Sequence, residues 1–254
     1  MMGRVLAVLL LFAGGASAQD VLVLGEIHDN PVHHDRQAEE VARFAPEAIV
    51  FEMLTEDQAA RVTPALRQDS AALANALDWD ESGWPDFAMY HPIITAAPGA
   101  ELFGAGLPRA AARAAMEDGA AAAFGAEAEE YGLASPLPDA QQAEREALQG
   151  AAHCDALPAE MLPAMVAVQR LRDAMLARAV VRAKARTGGP VAVITGNGHA
   201  RRDWGMPAVL ARVAPGLDVR VIGQTEDGKP LPGTFDTVLS APPVTREDSC
   251  DAFR

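Results

Sequence analysis

Two segments of the chain share one frame: Gly25-Glu26-Ile27-His28 and Gly196-Asn197-Gly198-His199 each place a histidine shortly after a glycine. Each follows a short apolar run, Val21 to Leu24 in the first case and Val191 to Ile194 in the second, so both imidazoles are expected just beyond the end of a strand. A third apolar run, Ala48-Ile49-Val50-Phe51, ends in Glu52, a carboxylate that a buried strand does not carry without a partner. Two imidazoles with Glu26 and Glu52 are equipped for general acid and base work, a carboxylate orienting each ring. The same set, as His28, Glu52 and His199, also suits a divalent metal ion. One histidine in such a loop is more often structural. The repeated frame, with a stranded carboxylate between the two copies, is what points to chemistry.

Such a cluster forms only if these strands lie side by side with their carboxyl ends together. Further strand-length apolar runs fall at Glu101-Leu102-Phe103, Val219 to Ile222 and Phe235 to Leu239, and Ala-, Glu- and Arg-rich stretches of good helix propensity lie between them. The expectation is an α/β fold with a mostly parallel central sheet flanked by helices, a class that binds ligands outside the carboxyl ends of its strands. One helix should open at Pro31 behind an Asn30 cap and run to about Phe44, where Pro46 prevents continuation. Another should run from about Pro158 to Arg186, with Met161, Met165, Val168, Leu171, Met175 and Ala179 as its apolar stripe and Gly188-Gly189 ending it. Residues 55–187 read as mainly helical, a cap inserted between early and late strands, and residues 19–254 as a single domain.

With 254 residues, half of them hydrophobic, the chain can build one sizeable core. Its 21 basic residues against 35 acidic ones leave a net charge of −14, which excludes a general nucleic-acid binder. The first eighteen residues differ from the rest. Arg4, the apolar run Val5 to Ala13 and the small residues Ala16-Ser17-Ala18 read as a secretory signal over 1–18, with the mature chain beginning at Gln19 in the periplasm or outside the cell. No later segment approaches the roughly 20 apolar residues of a membrane-spanning helix, so no transmembrane segment is expected in the mature chain. An exported chain with two cysteines, Cys154 and Cys250, is the setting in which they pair.

The motifs in sequence resemble the ChaN-like haem-binding uptake family of the Tiki superfamily, whose relatives include TraB-like proteins and erythromycin esterases. The resemblance rests on Gly25 to Pro31 with His33-His34 and Gln37, Phe51-Glu52-Met53, and Ser82-Gly83-Trp84-Pro85 with Met89-Tyr90 and Pro92. It continues in His153-Cys154, Gln169, Arg172-Asp173 and the run from Gly196 through Asp203 to Pro207. One departure is Gly106, where an asparagine is expected. The resemblance implies haem binding for iron uptake. In the superfamily's hydrolase branches it implies metal-dependent or His/Glu-assisted hydrolysis, carried by His28, His199 and Glu26 or Glu52.

Haem needs an apolar slot, an axial ligand, and cationic or N–H donors for two propionates. Ferric iron outside the cell favours a hard tyrosinate oxygen. Of the two tyrosines, Tyr90 lies in a matching segment and is the first choice, with Tyr131 second. Arg109, Arg201 and Arg202 are suited to propionates, and Asn197 is aimed at the same cleft. A flat haem is also readily shared by two chains, which leaves room for a homodimer.

Overall fold

The computed structural model describes residues 19–248, 250 and 251, so the expected signal segment 1–18 lies outside the described residues. Six strands, β1 (Val21–Glu26), β2 (Ala48–Phe51), β3 (Glu101–Gly104), β4 (Val191–Gly196), β5 (Val219–Glu226) and β6 (Thr237–Ala241), form one sheet in the order β3-β2-β4-β1-β5-β6. Every pairing is parallel. β1, β2 and β4 are buried at every position, because helices cover both faces, and this is why Val21 to Leu24, Ala48 to Phe51 and Val191 to Ile194 read as unbroken apolar runs. β6 starts two residues later than Phe235: the Asp236 carboxylate accepts from the Val221 amide at 2.7 Å and so occupies that end of the ladder.

The helices divide between the faces. α1 (Pro31–Phe44), α2 (Glu56–Ala60), α3 (Ser70–Ala76) and α4 (Phe87–Ala96) cover one face, where Leu22, Leu24, Ile49, Phe51 and Ile194 meet Val41, Phe87, Ile93 and Ile94. α5 (Arg109–Asp118), α6 (Ala120–Phe124), α8 (Leu162–Thr187) and α10 (Met206–Val213) cover the other, where Val21, Val23, Val50 and Val193 meet Leu171, Leu176, Val180 and Leu210. α7 (Asp139–Ala152) packs on α8, and α9 (Asn197–Ala200) is a single turn after β4. The inserted stretch 55–187 therefore covers both faces, and only a few of its residues reach the carboxyl edge of the sheet.

Local signals account for the helix ends. Asn30 Oδ1 accepts from the Val32 amide at 3.0 Å and caps α1, whose other end closes on Ala45 in the left-handed region. α8 begins at Leu162 after a 3₁₀ turn at Ala159–Met161, a little later than Pro158, and stops at Gly188, φ 71°.

The chain steps from β1 to β2 to β3 through helices on one face and returns through β4 to β5 by helices on the other, as right-handed crossovers require. β4 lies between β1 and β2, so the chain leaving it turns to the opposite face from both neighbours. A crevice opens there, at the carboxyl ends of the three strands that carry the chemically suspect residues.

The two cysteines are joined. The Cys154–Cys250 disulfide, Cα–Cα 5.6 Å, ties the end of α7 to the C-terminal tail. Upstream in that tail, Arg246 forms a bidentate pair with Asp29 and bonds Glu226, which also accepts from Asn30 at 2.7 Å. The tail is thus strapped across the carboxyl ends of β1 and β5.

Candidate functional site

Glu52 follows β2 directly and is buried. Its Oε2 accepts from Thr195 Oγ1 at 2.6 Å and from the Gly196 amide at 2.8 Å, both at the end of the neighbouring strand β4. Its Oε1 lies 3.6 Å from His199 Nε2 and 3.7 Å from Arg172 Nη1. Burial alone would raise its pKa. The positive fields of His199 and His28, with the two hydrogen bonds, outweigh burial and bring it down to about 2.

Each histidine of the repeated frame is oriented by a second carboxylate. His28 Nδ1 lies 2.6 Å from Glu26 Oε1, and His199 Nδ1 lies 2.7 Å from Asp173 Oδ1. Burial opposes the charge on both rings, but Glu26 and Glu52 around His28, and Glu52 and Asp173 around His199, hold both above the ordinary histidine pKa. Asp173, buried in the middle of α8, is itself raised by burial, so the His199–Asp173 pair holds on to its proton. His28 is about one-third exposed and packs against the Trp84 ring at 4.8 Å. Glu26, His28, Glu52 and His199 therefore converge on one crevice, around a charge that is already balanced.

Gly196 makes the approach possible. A methyl group there would sit 2.8 Å from His28 Nε2. Gly196→Ala is expected to displace the His28 ring and cost about 1–3 kcal/mol, read as a lowered thermal midpoint. An unchanged midpoint would mean that the ring swings aside freely.

The convergence does not form a metal centre. Among the described residues no group of three or more His, Cys, Asp or Glu side chains is placed to hold an ion. Glu52, the carboxylate of the expected set, is already taken up by Thr195, Gly196 and the cations beside it.

Tyr90 is placed otherwise than a haem ligand requires. It is fully buried, its hydroxyl donates to Glu26 Oε1 at 3.1 Å, and its ring packs on His34 and Trp79. Burial and the Glu26 charge drive its pKa far up, so the phenol stays protonated and holds Glu26 in place. The spacing Phe87, Tyr90, Ile94 along α4 carried that signal, since it marks the buried stripe of a helix. Tyr131 lies on the other face, packed on Phe124 at 4.9 Å and bordering a cavity.

The remaining residues are spread out. Asn197 staples its loop to β5, donating to Gln224 O and accepting from Gln224 N. Arg201 is paired bidentately with Asp203 and stacks on Trp204 at 3.6 Å, Arg202 is paired with Asp236, and Arg109 is exposed at the start of α5. Gly106 is tightly packed: a methyl group there would lie 2.8 Å from Leu54 O, so the residue at which the chain departs from the resemblance has no room for a side chain.

Beside His199 lies a cavity of about 310 Å³, walled by Leu148, Ala152, Val166, Leu231 and Pro232, with Trp204 and Arg201 at its edge. None of the apolar wall residues was singled out in the sequence. They come from α7, α8 and the loop after β5, and their apolar character alone is indistinguishable from core packing.

Comparison with known proteins adds to this picture. Residues 12–210 match the family described as haem-binding uptake, Tiki superfamily, ChaN. Among solved structures the fold is similar to ChaN of Campylobacter jejuni, described as binding haem cofacially, with a TM-score of 0.61 and 18% identity over 82% of each chain. A weaker likeness, TM-score 0.46 and 13% identity over 88% of each chain, is to the type III effector HopBA1. No curated protein matches the sequence.

Proposed function

The chain belongs to the haem-binding uptake family of ChaN type in the Tiki superfamily, and on that premise we propose that it is an exported protein that binds haem as cargo for haem or iron uptake. The observation that carries the site assignment is the apolar cavity that ends on His199. Its walls suit the faces of a porphyrin. Asp173 on His199 Nδ1 fixes the tautomer that presents Nε2, as a ligating histidine requires. A cavity of about 310 Å³ takes only part of a haem. The exposed part would then face a second copy, with Leu148, 39% exposed, at the contact. The cofacial haem described for the Campylobacter protein is consistent with such a homodimer.

Export rests on the apolar start of the sequence and on the disulfide, which belongs to oxidising compartments. No described helix is long and apolar enough to cross a membrane.

The test is titration of the mature protein with ferric haem. A saturable Soret shift is expected, weakened about tenfold by Leu148→Asp, a change of about 1.4 kcal/mol for a charge set against an apolar face, and altered in position by His199→Ala. Tyr90→Phe should leave the Soret position unchanged. Absence of saturation, or indifference to both the Leu148 and His199 changes, would remove the assignment. A second reading, hydrolysis, is favoured by the two oriented histidines facing Glu52. It gains ground if haem fails to bind and the protein cleaves ester or amide substrates in a His199-dependent way.

A further inference from the structure

A second cavity, of about 300 Å³, is lined by Tyr131, Leu133, Arg145, Arg170, Trp204 and Arg212. Its charge is unusual for a chain with net charge −14. Elsewhere arginines meet carboxylates on the exposed surface, as Arg61 meets Asp78 and Arg182 meets Glu56. Here three guanidinium groups converge and instead face main-chain carbonyls. Arg145 donates to Trp204 O, Arg170 to Gly132 O and Ser135 O, and Arg212 to Glu129 O and Glu130 O.

The wall also contains two carboxylates, and each already has a cation: Asp173 is bonded to His199, and Asp203 is paired bidentately with Arg201. Arg145 is 8% exposed and its Nε has no hydrogen-bond partner. Burying a guanidinium is costly, and burial lowers the pKa values of Arg145 and Arg170 in spite of the opposing field of Asp173 and, at Arg145, of Asp203. Carbonyl dipoles meet the geometry of these donors and leave most of the charge unbalanced.

We propose that this cavity binds an oxyanion-bearing small molecule, a phosphate or a carboxylate, with Arg145, Arg170 and Arg212 as its cationic donors and the Trp204 and Tyr131 rings as its apolar walls. The site does not depend on haem. It shares Arg145, Asp173 and Trp204 with the haem cavity, so the two ligands would sit in adjoining cavities.

The experiment is calorimetric titration of the haem-free, disulfide-bonded protein with inorganic phosphate and, separately, with citrate, against chloride at equal ionic strength. Saturable binding of one or both is expected, with phosphate or citrate alone identifying the source of the oxyanion. Arg170→Gln and Arg212→Gln, at half-buried and exposed positions that tolerate a neutral amide, should each weaken binding about tenfold, and the anion should raise the thermal midpoint of the wild type more than that of either variant. No saturation with either anion, heats equal to those of chloride, or unchanged affinity in both variants would overturn the proposal. Because no haem is present, failure here leaves the haem assignment untouched, and failure of haem binding leaves this one standing.

Discussion

Glu52→Ala is expected to lose about 3–5 kcal/mol of stability, the range found when one partner of a buried ion pair is removed. His199, His28 and Arg172 would then face a vacated buried position, and Thr195 Oγ1 and the Gly196 amide would lose their acceptor. Glu52→Gln is the finer test, because it keeps the shape and removes the charge. With the folded pKa down at about 2 against an ordinary value of 4.5, Glu52 contributes about 3 kcal/mol. The sign follows from the direction of the shift. A depressed carboxylate stabilises fully above its unfolded pKa, and that stability is lost as the pH falls through 4.5 toward 2.

His28 and His199 are raised, so their share is complete below 6.5 and is lost as the pH climbs through their folded values. Asp173 runs the other way from Glu52. Being raised, it costs stability as the pH rises from 3.8 through its folded value and offsets part of the Glu52 gain. Wild-type stability should therefore be greatest between about pH 4.5 and 6.5, with an acid limb that Glu52→Gln flattens. The alkaline limb should only shrink in that variant, because Glu26 and Asp173 still hold their histidines. Urea midpoints measured from pH 2.5 to 9 give the profile. An acid limb of undiminished depth in Glu52→Gln would show that other carboxylates carry it.

The strands were readable because burial on both faces leaves β1, β2 and β4 apolar until their carboxyl ends, and residues that break the run, such as Glu52, are then conspicuous. The convergence of Glu26, His28, Glu52 and His199 was readable for the same reason: a parallel α/β sheet brings strand ends to one edge. Asp173 was not singled out on chemical grounds, although it is an acid set among Leu171, Ala174, Leu176 and Ala177 on the buried side of α8. Its partner is 26 positions away, and helix periodicity says nothing about what a buried acid meets across an interface. Tyr90 shows the opposite failure. Its neighbours suggested a ligand, while the direction of its side chain depends on how α4 docks against α1. The arginine-lined cavity was invisible because what meets its charges is a set of loop carbonyls, and main-chain groups leave no mark in a sequence.

Removing the disulfide, by reduction or by Cys154→Ser with Cys250→Ser, is expected to lower stability by up to about 4.7 kcal/mol, the chain-entropy figure for a loop of about this length. The closed loop spans 96 positions and includes α8, β4 and β5, so opening it frees much of the unfolded chain. The folded tail should stay in place at neutral pH, because Arg246 remains bound to Asp29 and Glu226. That second anchor is pH-dependent. Arg246 and Asn30 hold the Glu226 pKa down to about 2, and Arg246 also lowers Asp29, so the ion pairs stabilise above the ordinary carboxylate range and weaken as the pH falls toward 2. The two anchors thus fail under different conditions, one with reductant and one with acid. Limited proteolysis separates them. At pH 7 the tail of the reduced protein should resist cleavage almost as well as that of the oxidised protein, whereas near pH 2, with pepsin as protease, only the oxidised tail should survive. Loss of the tail on reduction at pH 7 would show that Arg246 does not hold it. Equal urea midpoints with and without reductant would show that the bond constrains neither state.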